Sequence, residues 1–491
     1  MSSRAKDYGR LGPWLMGAAA SLFYLNFHSY YYNFDGVACA IAVELADWAH
    51  LVHGNHLAYG VVGWLFDRLW RLMGYGGSAI LPLQCLDSLL GGVGVGLFCR
   101  LLRKLKFSPA ISIGAATGLA VSQSYWFWSL EAQVYLLGVV FVILTATEAL
   151  SEKPRPIFLG ALHACAILGH VGHLMFLPVI AYRLWKSKAG LSAWIRYFAS
   201  LGAAVAAAYA AAAVFCVRPN DAPGLHRWLL GSAALTVDRG FTWQGGYSIH
   251  GFAEWVITSC KLMVDRRGAM DIGLLLAGIP LIAAAAGAFR KGARGQIAAA
   301  CLIWIASYFI LFSTWEPFLD VYRISDLVAL WLLVSLALEK VPASAAAFSL
   351  ALWTAGAGIF NATQSIGPRA DSTRNATYQE ALWLAKTTPE NSWIIVTGPE
   401  QVYVPYFAHR KPLNLRYFGG GAVLLSEQLY RRLDALMEAG EPVFIGDKTL
   451  GFSGWQLALR NYGLGLEREE GGRKLYRVRR KESPAGPSRK N

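Results

Sequence analysis

Apolar positions in this chain fall in long runs, and a helix needs about 20 such residues to cross the hydrocarbon core of a bilayer. Runs of this kind occupy 11–32, 77–99, 108–126, 132–150, 156–169, 171–186, 194–215, 271–288, 294–314, 324–339 and 342–361. One more, 57–73, is short and carries Asp67, Arg68 and Arg71. The first 25 residues have the basic start and apolar centre of a signal peptide, but the apolar and aromatic run continues to Tyr32, so an uncleaved first span is expected.

Lys and Arg assign the sides. Arg4, Lys6 and Arg10 precede the first run, and Arg100, Arg103, Lys104 and Lys106 follow the second long one. Both clusters belong in the cytoplasm, which requires an even number of crossings between them. The 57–73 run is therefore predicted not to cross, and to lie as a juxtamembrane or re-entrant helix on the outer face. Lys153 with Arg155, Arg183 with Lys186 and Lys188, Arg290 with Lys291 and Arg294, and Lys340 then fall inside. The outer face receives 33–76, the turns 124–135 and 170–173, the loop 216–270, the turn 315–323 and everything beyond 362.

Beyond 362 the pattern changes. SWIIVTG (392–398) and EPVFIGD (441–447) read as short strands, SEQLYRRLDALMEAG (426–440) as a capped helix, and KLYRVRR (474–480) as a further strand. The expected fold is a polytopic α-helical membrane protein of about eleven transmembrane helices with a small extracytoplasmic α/β C-terminal domain. The transmembrane part is 1–362, with an outer juxtamembrane segment 33–76; the α/β domain is 363–480, and 481–491 is a disordered tail.

Composition agrees with a membrane protein: of 491 residues, 55% are hydrophobic and only 15% charged, with a mean hydropathy of +0.37. The net charge of +14 falls largely in short loops between spans, which points to anionic lipid and not to nucleic acid. The 7 Cys have no metal-ligand spacing; Cys216 and Cys260 flank one outer loop, either paired or free.

Ionisable groups crowd the outer face. Asp35 follows the first span, and either caps a helix end or works chemically. Glu44 and Asp47, three apart, are expected on one face of a single helix. His50, His53 and His56 recur every three residues, a spacing that could hold a divalent metal, although Gly54 and Asn55 interrupt it. SYWFWSLEAQVY (124–135) sets Glu131 and Tyr135 beside an aromatic belt, and His170 and His173 share another outer turn. In WEPFLDVYR (315–323), Asp320 and Arg323 either pair with each other or leave the guanidinium to grip a phosphate.

Asp35, His56-Leu-Ala-Tyr59-Gly and the Trp126–Tyr135 turn together resemble the GT-C class of membrane glycosyltransferases, nearest to its protein O-mannosyltransferase-like branch. The resemblance implies an inverting transfer from a polyprenyl-phosphate sugar to a hydroxyl of a protein or glycan, on the extracytoplasmic side of a bacterial plasma membrane. It implies Asp35 as catalytic base, with Glu44, His53, His56, Tyr59, Glu131, Tyr135, His173, Asp320 and Arg323 around the substrates. The one candidate cofactor is a divalent metal; Arg239, Arg266 or Arg267 are phosphate partners of second choice after Arg323. This chain departs from the family in carrying Gln133 before Val134-Tyr135 and in lacking a Pro-rich stretch after His56. A transporter or lipid flippase, and an inactive relative acting as a scaffold, are the alternative expectations.

Overall fold

The computed structural model describes residues 3–231, 249–264, 292–414 and 427–481. The expected span 271–288 lies outside them, as do Arg239, Arg266, Arg267, Arg290, Lys291 and the Cys260 side chain. The chain divides into two compact units, Met1–Asp371 and Ser372–Asn491.

The first unit is helical. Five of its described helical segments are long and apolar enough to cross a membrane: Ile80–Lys104, Leu191–Val217, Ala293–Phe312, Asp320–Leu338 and Ala343–Arg369. Shorter apolar helices occupy Leu11–Leu25, Pro109–Val121, Tyr135–Ala149 and Pro156–Gly169. The chain is an integral membrane protein. Its helices approach closely where glycine removes the side chain: a Cβ on Gly92 would meet the Ser21 backbone nitrogen at 2.5 Å, and one on Gly96 the Pro13 carbonyl at 2.7 Å. Cys216 is a free thiol.

Three departures from the predicted elements bear on function. The first helix stops at Leu25, not at 32, and 26–33 run without helical structure. This segment, NFHSYYYN, finds tertiary partners instead: Gln84 Nε2 donates to the Ser29 carbonyl at 2.8 Å, and Tyr30 N to the Arg369 carbonyl at 2.8 Å. Asp35 therefore sits in the first turn of a new helix, Phe34–Leu45, and not at the end of the first span. That helix ends at Ala46, which is left-handed (φ 49°), and Asp47 caps a separate short helix, Trp48–Leu51. Glu44 and Asp47 do not share a helix face. Finally, the 108–126 run breaks at Ser122 into Pro109–Val121 and Gln123–Trp128.

The 57–73 run forms the 14-residue helix Tyr59–Leu72. At 1.5 Å per residue it measures about 21 Å, short of the roughly 30 Å hydrocarbon core. Tyr59, Gly60, Gly63 and Asp67 are buried, while Leu65, Leu69 and Leu72 are exposed on the opposite side.

The second unit carries a five-stranded sheet of β1 (Trp393–Val396), β2 (Lys411–Asn414), β3 (Val443–Gly446), β4 (Tyr462–Glu470) and β5 (Arg473–Arg480), in the order β2-β1-β3-β5-β4. β1 is parallel to β2 and β3, and β5 is antiparallel to β3 and β4. The tight β4–β5 turn uses Gly471 and Gly472, both at positive φ. Ile395, Leu413, Leu433, Ile445, Trp455 and Val478 are among the buried residues of its core.

Candidate functional site

The site is assembled from three separate stretches: 26–36, the turn 129–135, and the turn 313–323. Asn33 joins the first two. Its side-chain oxygen caps the Asp35 helix by accepting from Gly36 N at 2.9 Å, and accepts from Gln133 Nε2 at 3.2 Å. Its amide donates to the Ala132 carbonyl at 3.0 Å. Gly36 is obligatory here, because a Cβ would lie 2.2 Å from the Ala132 carbonyl oxygen.

Asp35 is open to solvent yet enclosed. The Asp35 residue itself is exposed, Gln133 is its hydrogen-bonding neighbour, and Cys39, Tyr135, Tyr322 and Glu316 stand close enough to feel its charge. The surrounding protein strips water from it and raises its carboxyl above the ordinary range, against the opposing hydrogen bond.

Glu131 is the second acid of the turn and is fully buried. Ser29 Oγ donates to it, and Asn33 approaches through N and Nδ2, each at 3.5 Å. Burial pushes its carboxyl up to about 7, against Ser29, the nearby Arg369 charge and Asn33. Arg369 lies over the Phe127 ring at 3.6 Å and the Tyr31 ring at 4.9 Å, and so brings positive charge to this corner. Below the turn, Asp87 takes hydrogen bonds from Tyr59 OH at 2.5 Å and Gln133 N at 2.9 Å. Tyr59 thus braces the turn from the juxtamembrane helix and is itself wholly buried.

The 313–323 turn closes another side. Glu316 accepts from Tyr322 OH at 3.1 Å. The Tyr322 ring stacks on Phe312 (5.0 Å, 13°) and meets Tyr135 edge-on at 5.2 Å; Tyr135 also packs on His170 at 4.6 Å. His170 Nδ1 accepts from Gly172 N at 3.1 Å, so its neutral ring carries the proton on Nε2. Asp320 points elsewhere, accepting from Ser124 Oγ and from Trp128 Nε1 (3.2 Å).

The histidine turn forms an adjoining wall. His53 and His56 stack at 4.4 Å, and Ala58 N and the Asn55 carbonyl clip the turn to Leu168 and Val171, beside His170. Burial holds His53 at about 4 and lowers His56 as well, with neighbouring histidines adding to both shifts, so these rings are neutral. His50 turns away to pair with Asp47 at 2.7 Å. Among the described residues no three His, Cys, Asp or Glu side chains gather as a metal site.

Three more of the expected substrate groups are, like Asp320, engaged elsewhere. Arg323 is 2% exposed; its guanidinium binds Asp326 at 2.5 Å, Ser259 Oγ at 3.0 Å and the Trp255 carbonyl at 3.3 Å, and lies over the Trp255 ring. It pairs neither with Asp320 nor with an incoming phosphate, because a charge this deep needs fixed partners. Glu44 is about 13 Å along the helix from Asp35, where it accepts from Ala79 N at 2.7 Å ahead of the helix Ile80–Lys104. His173 donates to or accepts from Tyr308 OH at 2.7 Å and packs on Gly138, leaving His170 as the histidine beside Tyr135. Asn33, Asp87, Glu316 and Tyr322 are the members that the sequence pattern does not single out. Only Asp87, an acid inside an apolar run, carries a local signal.

No protein-family model matches this chain, and no protein of curated function matches it. Solved structures do. ArnT from Cupriavidus metallidurans in the apo state is similar with a TM-score of 0.67 at 14% identity, over 97% of this chain and 98% of that one. ArnT from the same organism bound to undecaprenyl phosphate gives a TM-score of 0.65 at 14% identity, over 95% and 98%. The likeness carries the fold: the chain has the architecture of ArnT.

Proposed function

We propose that this protein is a membrane glycosyltransferase that moves a sugar from a polyprenyl-phosphate carrier to a hydroxyl acceptor, with Asp35 as the base. The observation that carries this is the Asp35 carboxylate itself, open to solvent but ringed by polar side chains, in a chain with the fold of ArnT, one structure of which holds undecaprenyl phosphate. Asp35 takes the acceptor's proton as its oxygen attacks the anomeric carbon, and the carrier phosphate leaves from the opposite face with inversion. A phosphate leaving group needs no proton, but its charge needs a cation. Arg369, at the Glu131 corner, suits that role better than the buried Arg323. His56 and Tyr135 orient the sugar and acceptor, Glu131 holds the loop 26–33 in place beside them, and about eleven crossings put the site and the second unit outside the cytoplasm.

The test is transfer from polyprenyl-phosphate sugars by membranes carrying wild type or Asp35→Asn. Loss of a general base lowers the rate by about 10²–10⁴. Undiminished transfer by Asp35→Asn overturns the base assignment, and no transfer by wild type from any such donor overturns the enzyme.

A further inference from the structure

Glu316 is an acid that neither the sequence pattern nor the proposed chemistry uses, and it has three unusual properties. Its backbone is left-handed, at φ 44°, a conformation costly for a residue with a side chain and one that concentrates at functional sites. Its side chain is half-buried and lies within reach of the Asp35 charge. It receives the Tyr322 hydroxyl proton at 3.1 Å. The Tyr322 ring in turn meets Tyr135 edge-on at 5.2 Å. The chain Tyr135–Tyr322–Glu316 thus ends on a carboxylate that sits in a strained turn, and its two phenols border Asp35.

We propose that Glu316 is a positioning residue of the transfer site, anchoring Tyr322 and through it Tyr135, so that both hydroxyls are aimed at the substrates Asp35 acts on. This rests on the glycosyltransferase assignment. The Asp35 charge adds to burial in raising the Glu316 carboxyl above its ordinary range. Gln at 316 keeps an oxygen for the Tyr322 proton and loses the charge, whereas Ala loses both.

The experiment compares full-length wild type, Glu316→Ala, Glu316→Gln, Tyr322→Phe and the double variant Glu316→Ala/Tyr322→Phe. It measures kcat and KM, alongside the melting temperature of each. Glu316→Ala and Tyr322→Phe should each lower kcat at least about tenfold, as misplaced contacts do, and the double variant should be no worse than the singles. Glu316→Gln should recover most of kcat. A Glu316→Ala enzyme equal to wild type overturns the inference while the enzyme assignment stands. So does a folded Glu316→Gln no better than Glu316→Ala. An inactive wild type overturns the assignment and the inference with it.

Discussion

Glu131 shows how one side chain can carry both a structural and a chemical burden. It is wholly buried between the loop 26–33 and the turn that follows Trp128, and burial lifts its carboxyl to about 7. In the unfolded chain a glutamate titrates near about 4.3. A raised acid favours its protonated form in the folded state, so its contribution is intact below the unfolded value. It is lost as pH rises towards 7 and constant above that. The melting temperature of wild type should accordingly fall between about pH 5 and 7 more steeply than that of Glu131→Gln, whose amide oxygen still accepts from Ser29. Parallel slopes for the two proteins would contradict this. Arg323 teaches the converse at a single position. A sequence offers it as an arginine at the membrane surface, but Asp326 three residues later and Ser259 absorb its donors.

Elements are positioned here by small residues and caps. Helix Phe34–Leu45 starts where it does because Asn33 caps it, and it can touch the 131–133 turn because residue 36 is glycine. Gly36→Ala places a methyl against a carbonyl that the Asn33 amide already holds, so the helix start must shift. A displacement of about 1 Å at a reacting group costs about 100-fold in rate. Gly36→Ala should therefore lose transfer activity on that order while the protein still purifies as a folded species. Full activity would mean that the helix start and the turn do not need this contact. The break at Leu25 was not legible in the hydropathy pattern, because NFHSYYYN is rich in aromatic carbon. Its helix is replaced by bonds to Gln84, Glu131 and Arg369, which only the folded chain brings within reach.

Across the molecule, the proposed topology has a direct check. A cysteine introduced by Arg468→Cys in β4 should react with a membrane-impermeant thiol reagent in intact cells, and one from Glu152→Cys only after permeabilisation, both judged against the parent protein. The reverse pattern would invert the protein and remove Asp35 from the extracytoplasmic side. Apolar helices and the presence of strands in the C-terminal part were readable from the chain because they are local properties: hydrophobicity summed over about 20 residues, and strand and helix periodicity. Asp35 stood out for the same reason, as an acid beside an apolar run. Which polar groups pair with one another around it was decided by tertiary structure alone. Ser29 meets Glu131 across 102 positions, Tyr59 meets Asp87 across 28, and Glu44 goes to Ala79 across 35. A buried donor or acceptor must be satisfied by whatever the fold brings beside it, and neither period nor composition encodes which distant residue that is.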